Sequence, residues 1–212
     1  IVMKNTLFLL LGVSLLFSSC NKKTEGLGIF ITGNIVDPYS GEVVPDVQVV
    51  ISENRIDNGA YSSSYYPVDT VYSDANGQYQ IEVIKKNTVA YQMDFSKDGF
   101  YPTTFREEID YFSTSEENEI DIDLFTKSTV HFNFVNVGTT SESDTFIFNK
   151  RSGKTDCGEC CPNGITEYTG ANIDEDYFCA VNGGSFLVYE YTLATSDQNG
   201  FYRDSVFCPV ND

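Results

Sequence analysis

Tryptophan is absent from the 212 residues, histidine occurs once and methionine twice. With His131 as the single imidazole, zinc enzymes built on several histidines are excluded. Cations are scarce too: 13 Lys+Arg stand against 31 Asp+Glu, a formal net charge of −18. A field of that sign repels phosphate backbones, so no nucleic-acid partner is expected. No stretch sustains a helical apolar period with caps. Beyond the N-terminal region, no apolar run approaches the roughly 20 residues that a membrane-spanning helix needs.

The N-terminal region does carry one apolar run. Lys4 is followed by Leu7–Phe17 (LFLLLGVSLLF), 11 residues long and too short to span. A positive start, a short apolar stretch and small residues at its end describe a secretory signal. The ending Leu16-Phe17-Ser18-Ser19-Cys20 resembles the lipobox of bacterial lipoproteins. That resemblance implies cleavage before Cys20 and acylation of its thiol and amine, which gives a stable anchor because more than one chain is attached. The polar, glycine-bearing segment that follows reads as a flexible tether. Residues 1–19 are therefore expected to be signal, 20–28 tether, 29–126 a first domain and 127–212 a second.

What is abundant points to β-structure. Fourteen Tyr and sixteen Phe accompany frequent Gly, Asn, Asp and Ser clusters, a composition of strands and tight turns. Val47, Val49 and Ile51 alternate with their neighbours, as do Tyr79, Ile81 and Val83. So do Tyr91, Met93 and Phe95, and then Ile120, Ile122 and Leu124. Each set places apolar groups on one face, as half-buried antiparallel strands require. Further on, Val130, Phe132, Phe134 and Val137 suggest one strand, and Phe146–Phe148 and Phe186–Leu193 are expected strands. The fold class is all-β, two sandwiches in tandem.

The first half also resembles a known family. Gly33-Asn34-Ile35-Val36-Asp37, Gly41-Glu42-Val43-Val44-Pro45-Asp46-Val47-Gln48-Val49, Ser73-Asp74-Ala75-Asn76-Gly77-Gln78-Tyr79 and Lys97-Asp98-Gly99-Phe100 follow one another in the order of the carboxypeptidase regulatory-like domain. The resemblance covers roughly residues 28–125. It implies a transthyretin/immunoglobulin-like sandwich of seven strands and a non-catalytic appendage, so no active-site residue is carried over. Ser73 stands where the family more often has Thr.

The residues with chemistry are few. Cys157-Gly158-Glu159-Cys160-Cys161, with Cys179 and Cys208, could supply thiolates to zinc or form disulfides. An exported chain meets oxidising conditions, which favours disulfides. Lipidation of Cys20 leaves five cysteines, hence at most two bonds and one thiol over; Cys160 and Cys161 are adjacent and not expected to bond each other. The expected arrangement staples the 157–161 loop to strands carrying Cys179 and Cys208. His131 reads as a strand residue facing solvent or a hydrogen-bond partner. The acidic stretch Asn172-Ile173-Asp174-Glu175-Asp176 reads as a solvated loop, calcium being the lesser alternative, and Glu116–Glu119 likewise. Tyr61, Tyr65 and Tyr66 lie in a long expected loop, 56–69, where aromatic rings could hold a glycan or a protein partner. An open edge strand of either sandwich could also accept a partner strand.

A heptad occurs twice, as Ser73–Tyr79 (SDANGQY) and Ser196–Tyr202 (SDQNGFY). Both are expected to be hairpin turns in which Asp bonds back to the backbone and Asn-Gly supplies positive φ. The functional expectation is a non-catalytic, lipid-anchored module of a Gram-negative envelope, without cofactor. It would act as a structural or accessory component with a protein partner. A carbohydrate-binding lipoprotein of a glycan-uptake system is the alternative, and a hydrolase the weakest. The outer membrane is the expected site, and Asn21-Lys22-Lys23 after the lipidated Cys leans toward its periplasmic side.

Overall fold

The computed structural model describes residues 27–57, 59–137, 141–162 and 164–210. Cys20, the signal and the tether up to residue 26 lie outside the described residues. The first strand takes in the last two tether positions: β1 (Leu27–Val36) pairs Leu27 with Lys85 and Gly28 with Ile84.

The first half folds as its alternation requires. After β1 come β2 (Gln48–Asp57), β3 (Ala60–Tyr61), β4 (Tyr66–Tyr72), β5 (Gln78–Lys85), β6 (Thr88–Ser96) and β7 (Thr103–Glu108). A single turn of 3-10 helix, Ile109–Tyr111, leads to β8 (Asn118–Glu119) and β9 (Ile122–Asp123). One sheet has β1 at its centre, antiparallel to β5 and parallel to β8 and β9; the other runs β3-β2-β6-β7, with β4 also on β2. In β1, β5 and β6 every second residue faces the opposite sheet. Ile29, Ile31, Val49, Ile51, Met93 and Phe95 are fully buried. Counting β8 and β9 as one interrupted edge strand and β3 as an addition beside β4, the sandwich has seven strand positions.

The interruption has a local cause. Gly33 faces the carbonyl of Ile120 so closely that a Cβ would come within 1.9 Å of its oxygen. Tyr79 Oη donates to the same carbonyl at 2.7 Å. Asp121 Oδ1 then accepts from Asn34 N at 2.8 Å and from Asn34 Nδ2 at 3.0 Å, standing in for a ladder bond.

The second half comprises β10 (Lys127–Val135), β11 (Thr145–Lys150), β12 (Gly164–Thr169), β13 (Asp174–Asn182), β14 (Ser185–Ala194) and β15 (Asn199–Cys208). β10 and β13 form a two-stranded sheet over a four-stranded one, ordered β12-β11-β14-β15. Two strands cannot cover four, and the core is correspondingly small: Phe132, Phe148, Val181 and Leu187 with three cysteines. Partly buried rings fill its margins. Phe134 lies 4.8 Å from Phe146 and 5.0 Å from Phe148, centroid to centroid.

Three local expectations are corrected. The supposed loop 56–69 contains the end of β2, all of β3 and the start of β4, because β2 runs on past the core and draws both segments to its edge. The acidic stretch 172–176 opens β13, with Asp174, Glu175 and Asp176 paired to Val135, Phe134 and Asn133; an exposed strand end needs no apolar alternation. Asn118–Glu119, in the other supposed acidic loop, pairs with β1.

The two heptads also part company. In the first, Asp74 Oδ1 accepts from Asn76 N at 2.8 Å and Gln78 N at 2.9 Å, and Gly77 has φ +73°. That turn joins β4 to β5, which belong to different sheets, so it is a corner between sheets and not a hairpin. In the second, Thr195 N–H donates to the Gln198 carbonyl at 2.8 Å, and Thr195 Oγ1 accepts from Gln198 N at 2.9 Å. The turn residues are Ser196 and Asp197, while Asn199 and Gly200 already pair with Ala194 and Leu193 in the β14–β15 ladder.

Candidate functional site

The cysteine loop is built onto the edge of β13. Ala180 N donates to the Glu159 carbonyl at 2.8 Å, and Cys161 N to the Ala180 carbonyl at 3.0 Å. Cys157 bonds Cys160 and Cys161 bonds Cys179. The loop is therefore tied to the strand carrying Cys179. The expected tie to Cys208 is corrected: Cys157 closes on Cys160 within the loop, and Cys208 is a free, buried thiol. Burial pushes its pKa up, which makes it a packed side chain and not a nucleophile. Among the described residues, no group of three or more His, Cys, Asp or Glu is placed to hold a metal ion.

The same loop reaches the first sandwich. Tyr101 is buried, and its ring has the ammonium groups of Lys127 and Lys154 at 5.4 and 5.5 Å from its centroid. Lys127 is paired with Glu159 at 2.5 Å and Lys154 with Asp156 at 2.8 Å. Each cation thus bridges a ring of the first half and a carboxylate beside or within the disulfide loop. The Tyr101 hydroxyl is buried and has no hydrogen-bond partner among the described residues. Burial, then the Glu159 and Asp156 charges, pushes its pKa up to about 12. Backbone bonds from Lys127 N to Gly99 O (2.7 Å) and from Gly183 N to Thr126 O (2.8 Å) close the junction.

The tyrosines expected to form a binding loop are dispersed along β3, the connection and β4. The Arg106 guanidinium lies 4.7 Å from the Tyr65 ring centroid, and that of Arg55 lies 4.8 Å from Tyr66. Each of these two rings has one face taken by an arginine of its own sheet. His131 is an exposed strand residue, stacked on Phe178 at 4.2 Å and in contact with Asp176. No nucleophile accompanies that pair in the contacts described.

A further exposed apolar surface lies on the β14–β15 hairpin. Cross-strand partners share a face, so the register Phe186↔Phe207, Glu190↔Arg203 and Thr192↔Phe201 defines the outer side. Phe186, Phe201 and Phe207 are 62%, 65% and 52% exposed there, with the first and last in edge contact at 5.3 Å. Glu190 accepts from Arg151 Nε at 2.9 Å between them. The inner side carries Tyr189, Tyr191 and Tyr202. Tyr191 and Tyr202 stack at 5.0 Å and 17°. Burial, then the Asp204 charge and Tyr191, raises the Tyr189 pKa. The composition held a signal for this surface: Phe201-Tyr202 and Val206-Phe207 are adjacent apolar pairs, which put large groups on both faces of one strand.

Among solved structures, the chain is similar to a streptococcal ancillary pilin at 15% identity, with 86% of this chain and 60% of that one covered and a TM-score of 0.36. It is similar to the full-length major pilin SpaD from Corynebacterium diphtheriae at 10% identity, with 84% and 63% covered and a TM-score of 0.34. It is also similar to 3-chlorocatechol 1,2-dioxygenase from Rhodococcus opacus 1CP at 13% identity, with 49% and 61% covered and a TM-score of 0.36. The aligned part is under two thirds of each of those chains. No curated protein matches the sequence. The match that names a family is to the model of the carboxypeptidase regulatory-like domain, over residues 31–134. Residues 31–134 of this protein thus match a carboxypeptidase regulatory-like domain, and the disulfide-bearing β-strands follow it.

Proposed function

We propose that the protein is a non-catalytic module of a Gram-negative cell envelope, held to the outer membrane by lipid on Cys20 and acting as a structural or accessory partner in a membrane-associated assembly. The observation that carries this reading is the division of labour between the halves. A closed regulatory-like sandwich stands next to the anchor, and the second sandwich ends in a hairpin with three largely exposed phenylalanines. Exposed aromatics of that kind are the residue types that anchor protein partners. The lysines after Cys20 favour the periplasmic side. The expected outcome for Cys20→Ala is release from the membrane fraction, with the wild-type protein protected from protease added to intact cells. A wild-type protein that stays soluble without detergent, with an unmodified Cys20, overturns the anchored reading.

The glycan alternative has one observation in its favour, the row Tyr168, Phe146, Tyr191, Tyr202 across one sheet face. Sugars stack on open ring faces. Tyr191 and Tyr202 are nearly parallel to each other, so each masks a face of its neighbour, and the protein-partner reading is preferred.

A further inference from the structure

We propose that β15 is an open docking edge that accepts an extended segment of a partner protein by strand addition, the segment carrying a basic residue between two apolar ones on the face toward Asp204. This inference rests on the accessory-module reading above and names the kind of partner.

The edge is defined by hydrogen bonding. Thr195 and Gln198 bond across the turn, and antiparallel pairs alternate between bonded and unbonded. The pairs Tyr191↔Tyr202 and Tyr189↔Asp204 are therefore bonded ones. Even-numbered residues of β15 turn their N–H and C=O toward β14, and odd-numbered ones, from Asn199 to Phe207, turn theirs outward. Ser205 N accordingly donates to the Asp204 side chain at 2.7 Å and not to β14. Among the described residues β15 pairs with β14 alone.

Two edges of the first sandwich carry residues that discourage pairing: Pro67 and Asp69 in β4, and Arg106, Glu107 and Glu108 in β7. β15 has no proline and is exposed over nearly its whole length. A long edge strand with large apolar groups on both faces is a template for another strand.

The charges select the occupant. A second copy pairing about the twofold axis of two antiparallel strands sets like positions opposite each other. Centred on the strand, that places Arg203 against Arg203 or Asp204 against Asp204, on chains of net charge −18. Shifting the axis by one residue sets those charges against Phe207 and Val206, or Phe201 and Gly200. A heterologous strand meets no such conflict. On the inner face Tyr202, Asp204 and Val206 alternate apolar, acidic, apolar, and the complementary sequence is apolar, basic, apolar.

The probe is the end-blocked heptapeptide Thr-Val-Thr-Lys-Thr-Val-Thr, titrated into the detergent-solubilised full-length protein and followed by backbone amide NMR. The expected result is saturable shifts at the outward amides of residues 201, 203, 205 and 207. The version with Glu in place of Lys should bind about fivefold more weakly, from the reversed cross-strand charge pair. Ser205→Pro removes one outward donor at a position where an edge strand tolerates proline, and should abolish the shifts. The same peptide N-methylated at every residue should also fail, with the protein unaltered. Absence of binding at millimolar peptide, shifts confined to other strands, or equal binding of the Glu peptide overturns the proposal. So does a dimer in sedimentation that Ser205→Pro dissociates, which would make a second copy the occupant. The broader reading fails separately, if the peptide binds β15 while the anchored protein crosslinks to no other envelope protein in cells.

Discussion

The two sandwiches solve the same burial problem with different materials. The first meets sheet with sheet, and its core is mostly aliphatic: Ile29, Ile31, Val49, Ile51, Met93 and Leu124 are completely excluded from water. The second sets two strands over four, and its small core contains two phenylalanines, two aliphatic residues and three cysteines. Burial of apolar area stabilises by about 25 cal/mol per Å², so the half that buries less must gain elsewhere. Large rings supply area per residue, and a disulfide removes entropy from the unfolded chain. The second half uses both, and the loop that carries its cysteines is also the loop that grips the first half through Lys127 and Lys154.

That contrast breaks most sharply at Cys161–Cys179. The bond joins residues 18 apart, and a loop of that length is worth about 3 kcal/mol. Replacing both cysteines with Ala should therefore lower the stability of the second sandwich by about that amount. Hydrogen exchange should show amides of β10–β15 losing protection while those of β1, β2 and β6 keep theirs. Removing Cys157–Cys160, which spans only three positions, should cost clearly less. Equal loss of protection in both halves would mean that they unfold as one unit.

The difference between the halves also governs what could be read from the chain. Where a strand is buried on one face, as in Tyr79–Val83 or Tyr91–Phe95, alternation marks it, and each of those apolar residues is buried. β12 and the opening of β13 escaped because edges and strand ends exposed to water need not alternate, whereas the strands expected to carry Cys179 and Cys208 are β13 and β15. The sequence Asp174-Glu175-Asp176 looks like a solvated loop and is held in place by β10. The cysteines were legible as disulfides through compartment chemistry, but Cys208 was not distinguishable as the odd thiol, since pairing depends on Cα separations that spacing along the chain does not reveal. The lipid site on Cys20 was legible only as a motif. The tyrosines of the 61–66 stretch drew attention as aromatics in a loop, whereas the open edge at β15 is a matter of which neighbours a strand lacks.

Tyr101 tests how strongly the halves are coupled. Its hydroxyl has no partner among the described residues, and its folded-state pKa of about 12 lies above the usual value of 10.0. A raised acid pKa means that the folded state keeps a proton which the unfolded chain releases. Its contribution is therefore complete below pH 10 and is lost as pH rises toward 12, with a slope of up to about 1.4 kcal/mol per pH unit. Tyr101→Phe should flatten the alkaline unfolding curve by this one group. At neutral pH it should be neutral or slightly stabilising, since an unpaired buried hydroxyl is removed. An unchanged alkaline profile would show that the ring opens to water before the chain unfolds.

The smallest effect separates the two heptads. If they were one motif, equivalent glycines would respond alike. Gly77 has φ +73°, and a Cβ there would stand 2.8 Å from the Ile35 carbonyl oxygen. Gly77→Ala should accordingly cost about 1–2 kcal/mol, from left-handed backbone strain plus the close contact. Gly200 lies in a regular ladder opposite Leu193 without a positive φ. Its added Cβ would meet only the ring of Tyr202, at 3.1 Å from the hydroxyl oxygen, and an exposed tyrosine can turn away. Gly200→Ala should change stability by less than about 0.5 kcal/mol, and a strand residue in place of glycine even reduces the entropy lost on folding. Measured side by side by thermal unfolding, unequal costs assign the second turn to Thr195 and its bonds to Gln198. Equal costs would mean that Asn199-Gly200 forms the turn after all, which would shift the β15 register and remove the outward set of amides on which strand docking depends.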